Sequence, residues 1–192
     1  MVSEIANFAA GPVYIEIRIT VGRTMIHVCS LARLYPIVDT TGARHVITLM
    51  RDAHLVSRPS AIAVDNHLVL AMDDISVPLE GYTAPADEHV TELVRFLRGW
   101  DRQAPLVIHC YAGISRSTAG AYVAVCALNP QRDESAIAAA LRRASATATP
   151  NRRIVEIADR LLGRDGRMIG AIEAIGRGIE AYEADPFRLE LE

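Results

Sequence analysis

The most constraining stretch of this sequence is residues 105–109, Pro-Leu-Val-Ile-His, an apolar run that passes directly into a short glycine-containing loop and then an alanine-rich helix. A strand with no polar face has no side to show to water, so it belongs inside a parallel sheet covered on both faces. The rest of the chain agrees. Residues 26–31, 45–50 and 67–72 read as further strands. Residues 85–100 read as a helix, with Pro85 near its start and Val90, Leu93, Val94 and Leu97 on one stripe. A short helix or turn is expected over 31–39, and helices over 117–128, 133–144, 150–162 and 167–181. Strands separated by helices specify an α/β fold: a central, mainly parallel sheet of about four to five strands with helices on both faces.

At 192 residues the chain has the size of about one domain. It is 51% hydrophobic and 22% charged, with a mean hydropathy of +0.18, enough apolar material for a core and too much for wholesale disorder. The main domain is expected over 25–182. Before it lies an extension, 1–24, in which Val13, Ile15, Ile17, Ile19 and Val21 alternate with Tyr14, Glu16, Arg18 and Thr20 as in an edge strand. Residues 183–192 read as a peripheral tail. No repeat, low-complexity tract or long linker interrupts the chain.

The charge pattern excludes several classes. A net charge of −3 without a block of five like charges is not a nucleic-acid footprint. No apolar run reaches the ~18 residues of a membrane span, and Glu4 stands where a secretory signal would be basic. Three widely spaced cysteines, Cys29, Cys110 and Cys126, argue against a disulfide framework and for a reducing compartment. A soluble, cytoplasmic protein is therefore expected. All twenty basic residues are arginine, which hints at a GC-rich bacterial genome. His27, His45, His54, His67 and His89 show no ligand spacing, so no metal site is expected.

The chemistry concentrates in one segment, His109-Cys110-Tyr111-Ala112-Gly113-Ile114-Ser115-Arg116-Ser117-Thr118. A buried strand entering a tight loop that opens a helix aims successive N–H groups inward and adds a helix N-terminus, which together form an anion cradle. Gly113 supplies the conformational freedom such a loop needs. Cys110 at the strand's end would lie beneath the cradle, where a thiolate is favoured over the thiol of pKa ~8.5. Arg116, six positions on, returns to the rim and can bind two phosphoryl oxygens. Ser117 offers its hydroxyl to the sulfur. The phosphate-binding set is thus Tyr111, Ala112, Gly113, Ile114, Ser115 and Arg116.

His109-Cys110-x5-Arg116-Ser117 resembles the phosphate-binding loop of the cysteine-based protein tyrosine phosphatases, and the fuller run is most similar to their dual-specificity branch. The likeness extends over 25–162: His45-Val46-Ile47 matches an early strand, Ala121-Tyr122-Val123 the helix after the loop, and Pro150-Asn151 the opening of a late helix. It implies an α/β catalytic domain, no metal or other cofactor, and phosphomonoester hydrolysis through phosphocysteine. It also implies a general acid, an aspartate on an upstream loop just beyond a strand. Asp73 and Asp74 both stand there. Asp74 is preferred because relatives commonly place the acid after a polar residue, with Asp73 the alternative. His109 is expected to orient the loop, and Arg152 and Arg153 to lie on a solvated helix face.

The loop interior has no lysine and no second arginine, whereas relatives acting on phosphoinositides usually add basic residues there. A singly phosphorylated group is therefore implied, phosphotyrosine or phosphoserine/threonine in a protein, or a small phosphoester. Two other classes compete. A sulfur-transferring or arsenate-reducing relative would carry a differently composed loop. A non-enzymatic phosphoresidue-binding module would be expected to lack the nucleophile or the acid. The oligomeric state is not legible.

Overall fold

The computed structural model describes residues 25–191; the extension 1–24, with its expected edge strand, lies outside the described residues. The apolar run forms β4 (Leu106–Cys110), whose five residues are all buried. It pairs in parallel with β1 (Met25–Ser30) on one side and β2 (His45–Leu49) on the other, so that Ile108 stands between Val28 and Ile47. β3 (His67–Leu70) extends the parallel set beyond β2, and β5 (Phe187–Glu190) runs antiparallel along β1. The order is β3-β2-β4-β1-β5. Four parallel strands therefore end at one edge of the sheet, the edge where open α/β sheets place their ligands.

The two faces are covered unequally. On one, α1 (Leu34–Thr41) packs Leu34 and Val38 over Cys29, Val46 and Val107. On the other, α3 (Arg116–Leu128) is buried along almost its whole length, since it lies on the sheet and is covered by α2 (Asp87–Gly99), α4 (Glu134–Ala144) and α5 (Arg152–Leu161). α6 (Arg167–Ile175) closes that layer against α4 and α5. An all-round apolar helix such as α3 needs this enclosure, because it has no polar stripe to give to water.

Two expectations need correction. The last helix does not run to residue 181. It stops at Ile175, where Gly176 takes φ 63°, a left-handed conformation that glycine enters without steric cost. Residues 176–186 then cross the molecule as an irregular strap. Nor is 183–192 a peripheral tail: Phe187–Glu190 donates the fifth strand, with Leu189 opposite Ile26, and Leu189 and Leu191 are buried in the core. Pairing satisfies the free backbone edge of β1, which would otherwise stay open.

Candidate active site

The loop between β4 and α3 is shaped by what its carbonyls do. Tyr111 O accepts from Leu31 N, Ala112 O from Ala184 N, Ile114 O from Thr149 N, and Ser115 O from Asn151 N and Ala119 N. With the carbonyls tied outward, the N–H groups of Tyr111, Ala112, Ile114 and Ser115 have no protein acceptor among the described residues. Ser115 makes no side-chain cap, so the N-terminus of α3 is also open toward the loop. The arrangement is a nest of donors for an anion. Gly113 makes it possible twice over. Its φ is 77°, and a Cβ there would stand 2.9 Å from Ser30 N.

At the floor of the nest, the buried Cys110 Sγ lies 3.1 Å from Ser117 Oγ and accepts the Gly113 N–H at 3.3 Å. Arg116 is buried too. Its Nη1 donates to Met72 O at 2.8 Å, which ties the nest to the chain leaving β3. Its Nε is buried without a hydrogen-bond partner and lies 3.8 Å from Asp74 Oδ2. A buried guanidinium nitrogen left without an acceptor is costly unless something supplies one.

The neighbouring aspartates part company. Asp74 Oδ1 accepts from Ser115 Oγ at 2.7 Å and from Asn151 Nδ2 at 2.8 Å, placing the carboxyl at the rim of the nest. Asp73 is buried and faces its own loop: its N–H donates to Thr83 O, its Oδ2 accepts from Thr83 N at 2.8 Å, and Arg51 Nη1 reaches its Oδ1 at 3.4 Å. Asp73 is a clasp closing the 73–83 loop, and Asp74 is the carboxylate turned toward Arg116.

Behind Cys110 runs a polar line that no sequence pattern marks. Thr48 Oγ1 lies 2.7 Å from His109 Nε2 and 2.8 Å from His67 Nε2. One hydroxyl proton serves two imidazoles, so when Thr48 donates to one ring it accepts from the other, and their tautomers are linked. Burial pushes the His109 pKa down to about 4, so this ring is neutral at neutral pH. Thr48 carries no sequence signal, and His67 stands out in the sequence only as the start of a strand, without ligand spacing. Asn151 was read only as a helix opening. It does cap α5, its Oδ1 accepting from Arg153 N and Ile154 N, but its other amide end holds Asp74.

The remaining expected residues separate from the centre. The Tyr111 side chain is exposed, so its part in the cradle is its backbone. Arg152 is paired with Glu156 and Glu173, and Arg153 donates to Pro85 O. Burial, with the neighbouring Cys110, raises the Cys29 thiol to about 12, and burial raises Cys126 to about 12, which leaves both as core thiols. Cys29 packs in the α1-side cluster and Cys110 in the opposite one. Among the described residues no group of three His, Cys, Asp or Glu converges as a metal site, and no helix is long and apolar enough to cross a membrane.

Comparison with known proteins bears on this geometry. A family described as "Polymorphic toxin system, DSP-PTPase phosphatase" matches residues 28–129, just over half of the chain and inclusive of the whole Cys110–Arg116 loop. Among solved structures, the PTP-2 phosphatase of Cydia pomonella is 20% identical, covering 70% of this chain and 84% of that one, with a TM-score of 0.56. The human tyrosine phosphatase-like serine/threonine/tyrosine-interacting protein is 16% identical over 73% of this chain and 92% of that one, with a TM-score of 0.57. PTPMT1 is 17% identical over 79% and 95%, with a TM-score of 0.52. At these identities the three share its fold. No curated protein matches the chain.

Proposed function

This chain belongs to the DSP-PTPase phosphatases of polymorphic toxin systems, and from that premise we propose that it hydrolyses singly phosphorylated protein side chains through a phosphocysteine intermediate. The observation that carries the reading is the pairing of an open nest of N–H groups around the Cys110 sulfur with a buried Arg116 Nε that lacks an acceptor. A phosphoryl group seated there gives its oxygens to the loop amides and to the guanidinium, and its phosphorus faces Sγ. Sulfur attacks, the P–O bond to the leaving group breaks, and charge developing on the transferred group meets donors already in place.

Asp74 is the proposed general acid. Ser115 and Asn151 anchor its Oδ1, which leaves Oδ2 on the Arg116 side, where a proton can pass to the departing oxygen. In the second step the same carboxylate takes a proton from water, whose oxygen displaces Cys110 from phosphorus. Ser117 Oγ, 3.1 Å from the sulfur, stabilises the departing thiolate. No basic side chain interrupts Tyr111–Ser115, which supports a singly phosphorylated group.

The test is hydrolysis of p-nitrophenyl phosphate, with the intermediate trapped by acid quench and found by mass as one phosphate on the peptide containing Cys110. Cys110→Ser should lose at least about 10⁴-fold in kcat, the order seen when a catalytic nucleophile is removed. Turnover that survives Cys110→Ser, or a burst that labels another residue, would overturn the mechanism.

A further inference from the structure

Beside the cradle lies a cleft of about 920 Å³, with Asp74 and Ser115 on the wall nearest the nucleophile and Ile172, Ile179 and Tyr182 farther out. A phosphoryl group needs little of that space, whereas a cleft of this size suits a larger group. Its outer wall is the strap that follows α6. Tyr182 is 102% exposed and Ile179 69% exposed, so neither side chain contributes to the core. Yet the strap that carries them is tied to the frame before and after Tyr182. Ile179 N donates to Ala146 O, Gly178 N to Thr149 Oγ1, and Arg142 donates to Gly176 O and Arg177 O. Two residues past Tyr182, Ala184 N donates to Ala112 O, a carbonyl of the catalytic loop itself. An exposed aromatic on a backbone already ordered is an anchor that loses little entropy on binding.

We propose that this cleft recognises an apolar side chain next to the phosphorylated residue of a polypeptide substrate, with Ile179 and Tyr182 as its contacts; the proposal rests on the phosphatase reading above. Continuity argues for a polypeptide occupant. Ile114 and Ser115 of the loop, with Asp74 bonded to Ser115, also line the cleft, so the residues flanking a phosphorylated side chain seated over Cys110 would meet it. Charge argues for an apolar contact. The lining sets Arg152 and Arg177 against Asp74, Glu173 and Glu180, and Arg152 is already paired with Glu173, so there is no excess of cations to hold a second phosphate.

Two readouts separate this proposal from the phosphatase reading. Phosphotyrosyl and phosphothreonyl peptides are made with leucine or with glycine flanking the phosphorylated residue. Their binding to Cys110→Ser is followed by fluorescence anisotropy, and their turnover by wild type is set beside that of p-nitrophenyl phosphate. The expected result is about tenfold tighter binding and about tenfold higher kcat/KM for leucine flanks. Tyr182→Ala and Ile179→Ala should each lose most of that preference, while turnover of p-nitrophenyl phosphate stays unchanged. Equal binding of both flanks, a preference that survives both substitutions, or a preference for a phosphoinositide in vesicles over every peptide overturns the cleft proposal while leaving the phosphatase standing. If folded wild type fails to hydrolyse p-nitrophenyl phosphate but leucine flanks still bind tighter through Tyr182, the phosphatase reading fails and the cleft survives.

Discussion

The two loops that meet at the site are built in opposite ways. The cysteine loop spans Cys110 to Arg116, between a fully buried strand and a buried helix, and its carbonyls are bonded to the surrounding frame. The aspartate loop, from Met72 to α2, is longer and exposes Val77, Leu79 and Tyr82. It is held at points, by Asp73 on Thr83, by Arg51 on Asp73 and Gly81, and by Asp74 on Ser115 and Asn151. A phosphate nest has to be rigid before its ligand arrives, because donors that must reorganise stabilise little. An acid can reach its place through a few polar contacts, provided those contacts converge on one oxygen.

Four experiments press on that contrast. The largest effect is expected from Asp74→Asn, a loss of about 10²–10⁴ in kcat together with the limb of the pH–rate profile that requires a protonated carboxyl. If the limb survives in Asp74→Asn and disappears in Asp73→Asn, the two aspartates must exchange roles. Next comes Gly113→Ala: a Cβ 2.9 Å from Ser30 N at φ 77° displaces the nest, and a shift of that order should lower kcat/KM on p-nitrophenyl phosphate about 10²-fold. An alanine variant with wild-type kinetics would show the cysteine loop to be as compliant as its partner. Asp73→Asn keeps the loop's outline and weakens its clasp, so roughly tenfold or less is expected, with the pH limb retained and faster proteolysis within 73–83 as the independent sign.

The smallest effect on turnover comes from the buried line behind Cys110, which speaks through stability instead. The folded pKa of His109, about 4, lies below the 6.5 of an unperturbed histidine. As pH falls through 6.5 the unfolded chain gains a proton that the folded chain refuses, so stability present above that pH is lost progressively down to about 4. The loss is about 3 kcal/mol by pH 4. Urea midpoints at pH 7 and pH 4.5 should fall further in wild type than in His109→Gln, and equal decreases would remove His109 from the account.

Much of the architecture was legible because its signals are local. An apolar strand, a glycine loop and a basic residue at one fixed spacing put Cys110, Gly113 and Arg116 together, since seven consecutive residues have little freedom to be anywhere else. Helix starts were legible where a side chain caps them, as Asp133 does for α4 by accepting from Ala136 N at 2.8 Å. The end of α6 was not, because its helical periodicity continues past Gly176 while the backbone turns there, and two residues on Gly178 passes close against Thr147. β5 was not, because Phe-Arg-Leu-Glu is too short for an alternation to register and becomes a strand only beside the open edge of β1.

By itself, the order of residues determined the parallel sheet, its central strand and the nest of amides around one cysteine, for these arise from patterns within a dozen neighbours. Only the tertiary structure decided which of two adjacent aspartates faces the nest, that Thr48 joins two histidines on different strands, and that a distant strap walls the cleft. Those relations link positions such as 74 with 151, 48 with 109 and 112 with 184. Hydrogen bonds act over about 3 Å in space however many residues separate the partners along the chain, and only the packed fold brings such partners within that reach.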